Sequence, residues 1–252
     1  MRLRNCVAII TGAGAGIGKA IALRYACEGA KVVVAEINPE TGKATADEIQ
    51  VLKREGAFVR TDVSEEADVR GLVETTLKLY GRVDILVNNA AILLDGRDTR
   101  VHELSNEVWE RTLAVNLRGH WLCSKYVIPV MLKQGGGCII NLASPTGMRG
   151  FRNLTAYSTS KGGIIALTRA MAADYSQDRI RVNAIVPGTI DTPMNASTLA
   201  DERRREQLVA MAPSGRLGTA NDLAGVAVFL ASDDADYCNG GFYMVDGGLM
   251  AV

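Results

Sequence analysis

Short apolar, β-branched runs alternate along this chain with longer stretches whose apolar residues recur every three or four positions. The runs "CVAII" (6–10), "KVVVAE" (31–36), "AFVRTD" (57–62), "VDILVNN" (83–89), "CIINLAS" (138–144), "IRVNAIVP" (180–187) and "GFYMVDGG" (241–248) read as strands. Between them, 16–30, 40–55, 65–80, 106–134, 155–177 and 221–231 carry helical periodicity. Unbroken apolar runs belong to strands covered on both faces, and intervening helices require parallel crossovers. The pattern predicts a single α/β domain: a doubly wound parallel sheet of about seven strands with helices on both faces. Residues 189–215 break the alternation. Following a strand end, they are expected to form a substrate lid.

Composition agrees with one well-packed domain, since 48% of the 252 residues are apolar and 22% charged. Lys plus Arg equals Asp plus Glu at 28 each. That balance offers no electrostatic footprint for nucleic acid or an anionic membrane, and low net charge favours self-association. The five cysteines form no C-x-x-C pair, and His102 and His120 stand apart, so no metal site is expected. The start "MRLRNCVAII" loosely imitates a leader, but its apolar run ends at Ile10. No stretch reaches the ~20 apolar residues of a membrane span. A cytoplasmic protein is expected.

The chemistry begins at "TGAGAGIG", where Gly12, Gly14, Gly16 and Gly18 follow the first strand and open a helix. Such a turn lets a pyrophosphate approach the backbone and the helix N-terminus. Glu36 ends the second strand, where a carboxylate accepts hydrogen bonds from ribose hydroxyls and repels a 2′-phosphate. NAD is therefore expected over NADP, although Lys19 and Arg60 lie in the wider region. Asp62 and Val63 end the third strand. They suit an adenine, or Asp62 merely caps the next helix. "NNAA" (88–91) ends the fourth strand with small residues beside which a ribose could lie. "YSTSK" sets Tyr157 and Lys161 one helical turn apart. An ammonium ~5 Å away at an effective dielectric of ~20 stabilises a phenolate by about 3 kcal/mol, roughly 2 pKa units. The spacing thus predicts a Tyr157 pKa brought down towards working pH.

Together these motifs resemble the short-chain dehydrogenase/reductase family across essentially the whole chain. The marks are "TGAGAGIG", "DV" (62–63), "NNA" (88–90), Asn116 in "LAVNLRG", Ser144, "YSTSK" and "VPGTIDT" (186–192). Ala91 stands where the family usually has glycine, and Pro145 after Ser144 is less common there. The resemblance implies a Rossmann-type fold, a nicotinamide cofactor and a small-molecule alcohol or ketone substrate. It implies that Tyr157 exchanges a proton with the substrate oxygen, Lys161 lowers the tyrosine pKa and holds a ribose, and Ser144 bonds the substrate oxygen. It assigns Asn116 to anchoring a water, although an amide there could simply bond nearby backbone, and Ser144 could simply cap a turn. Gly12, Gly14, Gly16, Ile17, Gly18, Glu36, Asp62, Val63, Asn89 and Ala90 would hold the dinucleotide, together with Tyr157 and Lys161. Pro187, Gly188, Ile190 and Thr192 would border its nicotinamide end. Family members usually form homotetramers through the helices at 106–134 and 155–177 and the C-terminal region.

Arg149, Arg152 and Asn153 lie between Ser144 and Tyr157, in a loop expected to flank the substrate. An NAD-dependent dehydrogenase of a secondary alcohol, with a sugar or polyol as substrate, is the leading expectation. An NADPH-dependent 3-oxoacyl-carrier-protein-type reductase and a non-catalytic NAD-binding sensor are the alternatives.

Overall fold

In the computed structural model, which describes residues 1–252, one seven-stranded parallel sheet runs through the molecule. The strands are β1 (Val7–Thr11), β2 (Lys31–Glu36), β3 (Gly56–Arg60), β4 (Ile85–Asn88), β5 (Gly137–Leu142), β6 (Ile180–Pro187) and β9 (Phe242–Val245). Their spatial order is β3-β2-β1-β4-β5-β6-β9. From β1 the chain winds outward through β2 and β3, then crosses back to β4 on the other side of β1. The carboxyl ends of β1 and β4 therefore flank the reversal point, where open α/β sheets hold ligands.

Alternation along the strands divides the core. Ile10, Val34, Val87 and Ile140 point to one face and pack against α1 (Gly16–Cys27), α2 (Pro39–Val51) and α9 (Ala220–Ala231). Ile9, Val33, Leu86 and Ile139 point to the other and meet α3 (Glu66–Tyr80), α5 (Gly119–Gln134) and α6 (Thr155–Tyr175). The Tyr25 hydroxyl donates to Ala227 O at 2.8 Å, which fastens α1 to α9 inside the first layer.

One feature departs from the sequence expectation. The helix expected over 106–134 is divided: α4 (Asn106–Leu113) passes through one wide π turn, Ala114–Arg118, before α5. In that turn the Asn116 amide bonds Ile92, accepting from its N–H at 2.8 Å and donating to its carbonyl at 3.0 Å. Residues 189–215, expected to form a lid, carry regular structure. β7 (Ile190–Asp191) pairs with β8 (Gly218–Thr219), and α7 (Ala196–Leu199) and α8 (Glu202–Met211) follow β7. No side chain of α7 or α8 is fully buried. No helix is long and apolar enough to cross a membrane.

Candidate active site

β1 ends at Thr11, and the chain turns through Gly12 and Gly16, at φ +63° and +53°, into α1. Positive φ at Gly16 strains any other residue. Ala15, the residue before α1, has no side chain to bond the first-turn N–H groups, which leaves them free for an anion. Gly18 packs its α-carbon against the Gly12 carbonyl, closing helix on turn. The Asn89 amide donates to Thr11 O at 2.9 Å and Gly12 O at 3.0 Å. The Thr11 hydroxyl receives the N–H groups of Asn89 and Ala90 at 3.0 and 3.1 Å. "NNA" thus holds the glycine turn in shape as well as bordering the cavity.

That cavity, about 270 Å³, is lined by Gly12, Gly16 and Ile17 from the turn and by Glu36, Asp62 and Val63 from β2 and the segment after β3. Asn89, Ala90 and Thr192 complete its predicted lining. Gly14 stands outside the lining but donates its N–H to Glu36 Oε2 at 3.0 Å. Glu36 Oε1 accepts Ile37 N and Asn38 N at 3.0 and 3.1 Å, so three backbone donors fix the carboxylate. Lys19 is engaged by Glu48 at 2.6 Å and Arg60 by Asp68 at 3.3 Å, so neither is left free beside Glu36. Asp62 does not cap α3. It binds the Ser64 N–H and hydroxyl at 2.9 and 2.6 Å. Burial works to raise its pKa, but Ser64, Arg111 and Arg60 outweigh it and hold the carboxyl below its usual range. Arg111, 3.8 Å from Asp62, also lines this cavity. Its sequence neighbourhood on α4 gave no sign of this, because the contact is made by packing between distant elements. Free donors at an uncapped helix start, a positive-φ glycine and a fixed strand-end carboxylate together fit a dinucleotide.

A second cavity of about 540 Å³ shares Ile17, Asn89, Ala91, Thr192 and Met194 with the first, so the two adjoin along these residues. Ser144, Tyr157 and Lys161 line it, as do Pro187, Gly188 and Ile190. The Ser144 hydroxyl accepts Thr146 N and Oγ1 at 3.3 and 3.0 Å, so it does cap the turn over Pro145–Gly147 while facing the cavity. Lys161 is 2% exposed, donates to Leu142 O at 2.7 Å and lies 5.6 Å from the centroid of the Tyr157 ring. Asn116 lines neither cavity; besides Ile92 it bonds the Ser160 hydroxyl at 3.2 Å.

The expected lowering of the Tyr157 pKa is not found. Burial pushes the phenol up to about 12, and the Ser144 hydroxyl opposes this only in part. Burial also pushes Lys161 down to about 7. Tyr157 and Lys161 do lie one turn apart, but both lose water on burial, and that desolvation governs both pKa values. The arrangement holds a neutral phenol beside a lysine that changes charge near neutrality, which suits delivery of a proton to a carbonyl oxygen.

The match to known proteins covers nearly the full length. The family model described as "Enoyl-(Acyl carrier protein) reductase" matches residues 12–250. The chain belongs to the short-chain dehydrogenase/reductase family. As a member, it is an oxidoreductase of alcohol and ketone substrates with a nicotinamide cofactor site. It is 42% identical to an uncharacterized oxidoreductase of Bacillus subtilis, over 99% of this chain and 93% of that protein. It is 39% identical to the cyclohexanol dehydrogenase of Acinetobacter sp., over 98% of this chain and 95% of the other. Among solved structures it resembles a gluconate 5-dehydrogenase from Burkholderia cenocepacia in complex with NADP and tartrate. That pair has a TM-score of 0.94 at 33% identity, covering 100% and 97% of the two chains. This short-chain dehydrogenase/reductase shares the fold of the Burkholderia structure, and its cavities lie at the reversal point of its seven-stranded sheet.

Proposed function

We propose that this enzyme is an NAD-dependent dehydrogenase that interconverts a small secondary alcohol and its ketone. The observation that carries the reading is that the glycine-turn cavity adjoins the one lined by Ser144, Tyr157 and Lys161, the two sharing five lining residues. When bound, the nicotinamide supplies the hydride acceptor or donor. Gly12, Gly16 and the start of α1 hold the pyrophosphate, and Glu36 takes the adenosine ribose. Asp62 and Val63 border the adenine. Ser144 donates to the substrate oxygen, and Tyr157 gives or takes the proton there. Lys161 holds the second ribose, while Asn116 braces α6 through Ser160.

Glu36 supports NAD over NADP because its carboxylate is already fixed on three backbone N–H groups and cannot swing away from a 2′-phosphate. The NADP bound to the Burkholderia relative favours a second reading, an NADPH-driven ketone reductase. The neutral phenol of Tyr157 is compatible with either.

The alcohol cavity combines apolar residues such as Phe151, Leu208 and Met211 with polar Thr146, Arg152 and Asn153. That mixture supports a polyol, sugar or sugar acid, or a cyclic alcohol with a polar substituent. Residues 189–215 act as its lid: Thr198 donates to Asp95 at 2.8 Å and Arg204 approaches Asp95 at 3.7 Å. Exposed Trp121 and Leu132 on α5 support assembly of copies into a homotetramer. Free thiols, Cys27 among them exposed, support a cytoplasmic location.

The test is initial-rate turnover of NAD and of NADP with polyols, sugar acids, cyclic alcohols and hydroxysteroids, alongside Tyr157→Phe. Expected is turnover with NAD preferred, and a fall of about 10²–10⁴-fold in kcat for Tyr157→Phe. A preference for NADP establishes the second reading. Tight NAD binding without turnover of any alcohol, unchanged by Tyr157→Phe, establishes a sensor instead.

A further inference from the structure

The first turn of α6 carries Tyr157, yet nothing local fastens it. A helix begins with N–H groups that have no partner inside it. Leu154, the residue before α6, has no side chain able to accept them. The partner comes from 58 residues earlier in the chain. Asp98 Oδ1 accepts Ala156 N at 3.0 Å, and its Oδ2 accepts Tyr157 N at 2.9 Å. These are the second and third residues of the helix, which a capping side chain normally serves. Asp98 is 3% exposed, so water does not compete for these bonds. A second tether lies beside it: the Thr155 hydroxyl donates to Thr99 O at 2.6 Å. The turn bearing Asp98 is itself closed, with Arg97 N and Asp98 N donating to Leu94 O at 3.0 and 2.9 Å.

We propose that Asp98 is a positioning residue that sets the place of the Tyr157 phenol by clamping the first turn of α6 from the loop after β4. The proposal rests on Tyr157 being the proton-transfer group. A helix start held on both its second and third N–H groups cannot fray, so the Tyr157 Cα–Cβ bond keeps one direction towards Ser144. A carboxylate is the suitable clamp, since its two oxygens each take one N–H and its charge favours the positive end of the helix. An amide at this position keeps one accepting oxygen and turns an NH₂ group towards the other N–H.

The test uses the full-length enzyme saturated with NAD, with NADH affinity measured separately, and compares Asp98→Asn, Asp98→Ala, Tyr157→Phe and Tyr157→Phe/Asp98→Asn. In Asp98→Asn, NADH affinity and KM for the alcohol are expected to stay within about threefold, while kcat falls about tenfold to a hundredfold, as displacement of a reacting group by ~1 Å does. In the Tyr157→Phe background, adding Asp98→Asn is expected to leave residual kcat within about twofold, since two groups acting as one unit are not additive. Asp98→Ala is expected to be slower than Asp98→Asn; should it fail to fold, Asp98→Asn decides. A lower melting temperature with kcat within about twofold of the parent reduces Asp98 to a structural cap and overturns the proposal. An equal further loss of kcat in the Tyr157→Phe background also overturns it. Full activity of Tyr157→Phe overturns the proton-transfer reading itself, and this proposal with it.

Discussion

Glu36, the last residue of β2, accepts the main-chain N–H of Gly14 in the turn after β1 at 3.0 Å. The acidic group proposed to select the cofactor thus also braces the turn proposed to hold its phosphates. Replacing Glu36 with Ala removes the repulsion of a 2′-phosphate and a bond that shapes the turn. The ratio of kcat/KM for NAD over NADP is expected to fall at least about tenfold, equivalent to ~1.4 kcal/mol. Initial rates with both cofactors measure it, and an unchanged ratio refutes the role of Glu36.

Lys161 gives a pH signature without substrate. Its folded pKa of about 7 lies below the value of an unfolded chain, near 10.5. Between those values the unfolded state binds more protons, so stability is expected to rise with pH from about 7 to 10.5 on this account, by up to ~1.4 kcal/mol per unit. Below pH 7 both states are protonated and the Lys161 penalty is fully present. Tyr157 acts only above its unfolded pKa near 10, where the unfolded chain loses its proton first and stability falls. Urea unfolding of the parent and of Lys161→Met, without cofactor at several pH values, should show this rise in the parent alone.

A methyl group at Gly18 would meet the Gly12 carbonyl and the Asn89 amide. Gly18→Ala is expected to cost about 1–3 kcal/mol as α1 is forced off the turn. NADH binding should weaken with it, as followed by nucleotide fluorescence alongside unfolding. Unaltered stability and affinity would mean that the turn does not need its close approach to α1.

Asp95 receives Thr198 and faces Arg204 from the proposed lid. Its pairing is partly exposed, so Asp95→Ala should cost little stability, roughly 0.2–1 kcal/mol. The KM for the alcohol should rise a few-fold while NADH affinity holds. An unchanged KM counts against a lid closing over the alcohol.

Much of this architecture was legible because parallel strands covered on both faces write themselves as apolar runs. β2 and β6 coincide with "KVVVAE" and "IRVNAIVP". Glycine and Glu36 signals were local too, since a turn and the strand beside it are close in sequence. The pairing of β7 with β8 was invisible, because two residues on each strand carry no period. So was the π turn, whose residues have ordinary helical spacing. Spacing placed Tyr157 and Lys161 on one helix face, but their shifted pKa values come from burial by distant segments. Asp98 and Arg111 escaped for the same reason: their contacts with Tyr157 and Asp62 join parts of the fold that no local pattern relates.

The junction of β7 with β8 has a consequence for divergence. The whole excursion between them leaves and re-enters the scaffold through one short ladder, away from the seven-stranded sheet. Evolution or an engineer could therefore exchange the part of it beyond Met194 as a cassette, since Thr192, Pro193 and Met194 also line the dinucleotide cavity. The choice of alcohol would be rewritten while the dinucleotide half kept its shape.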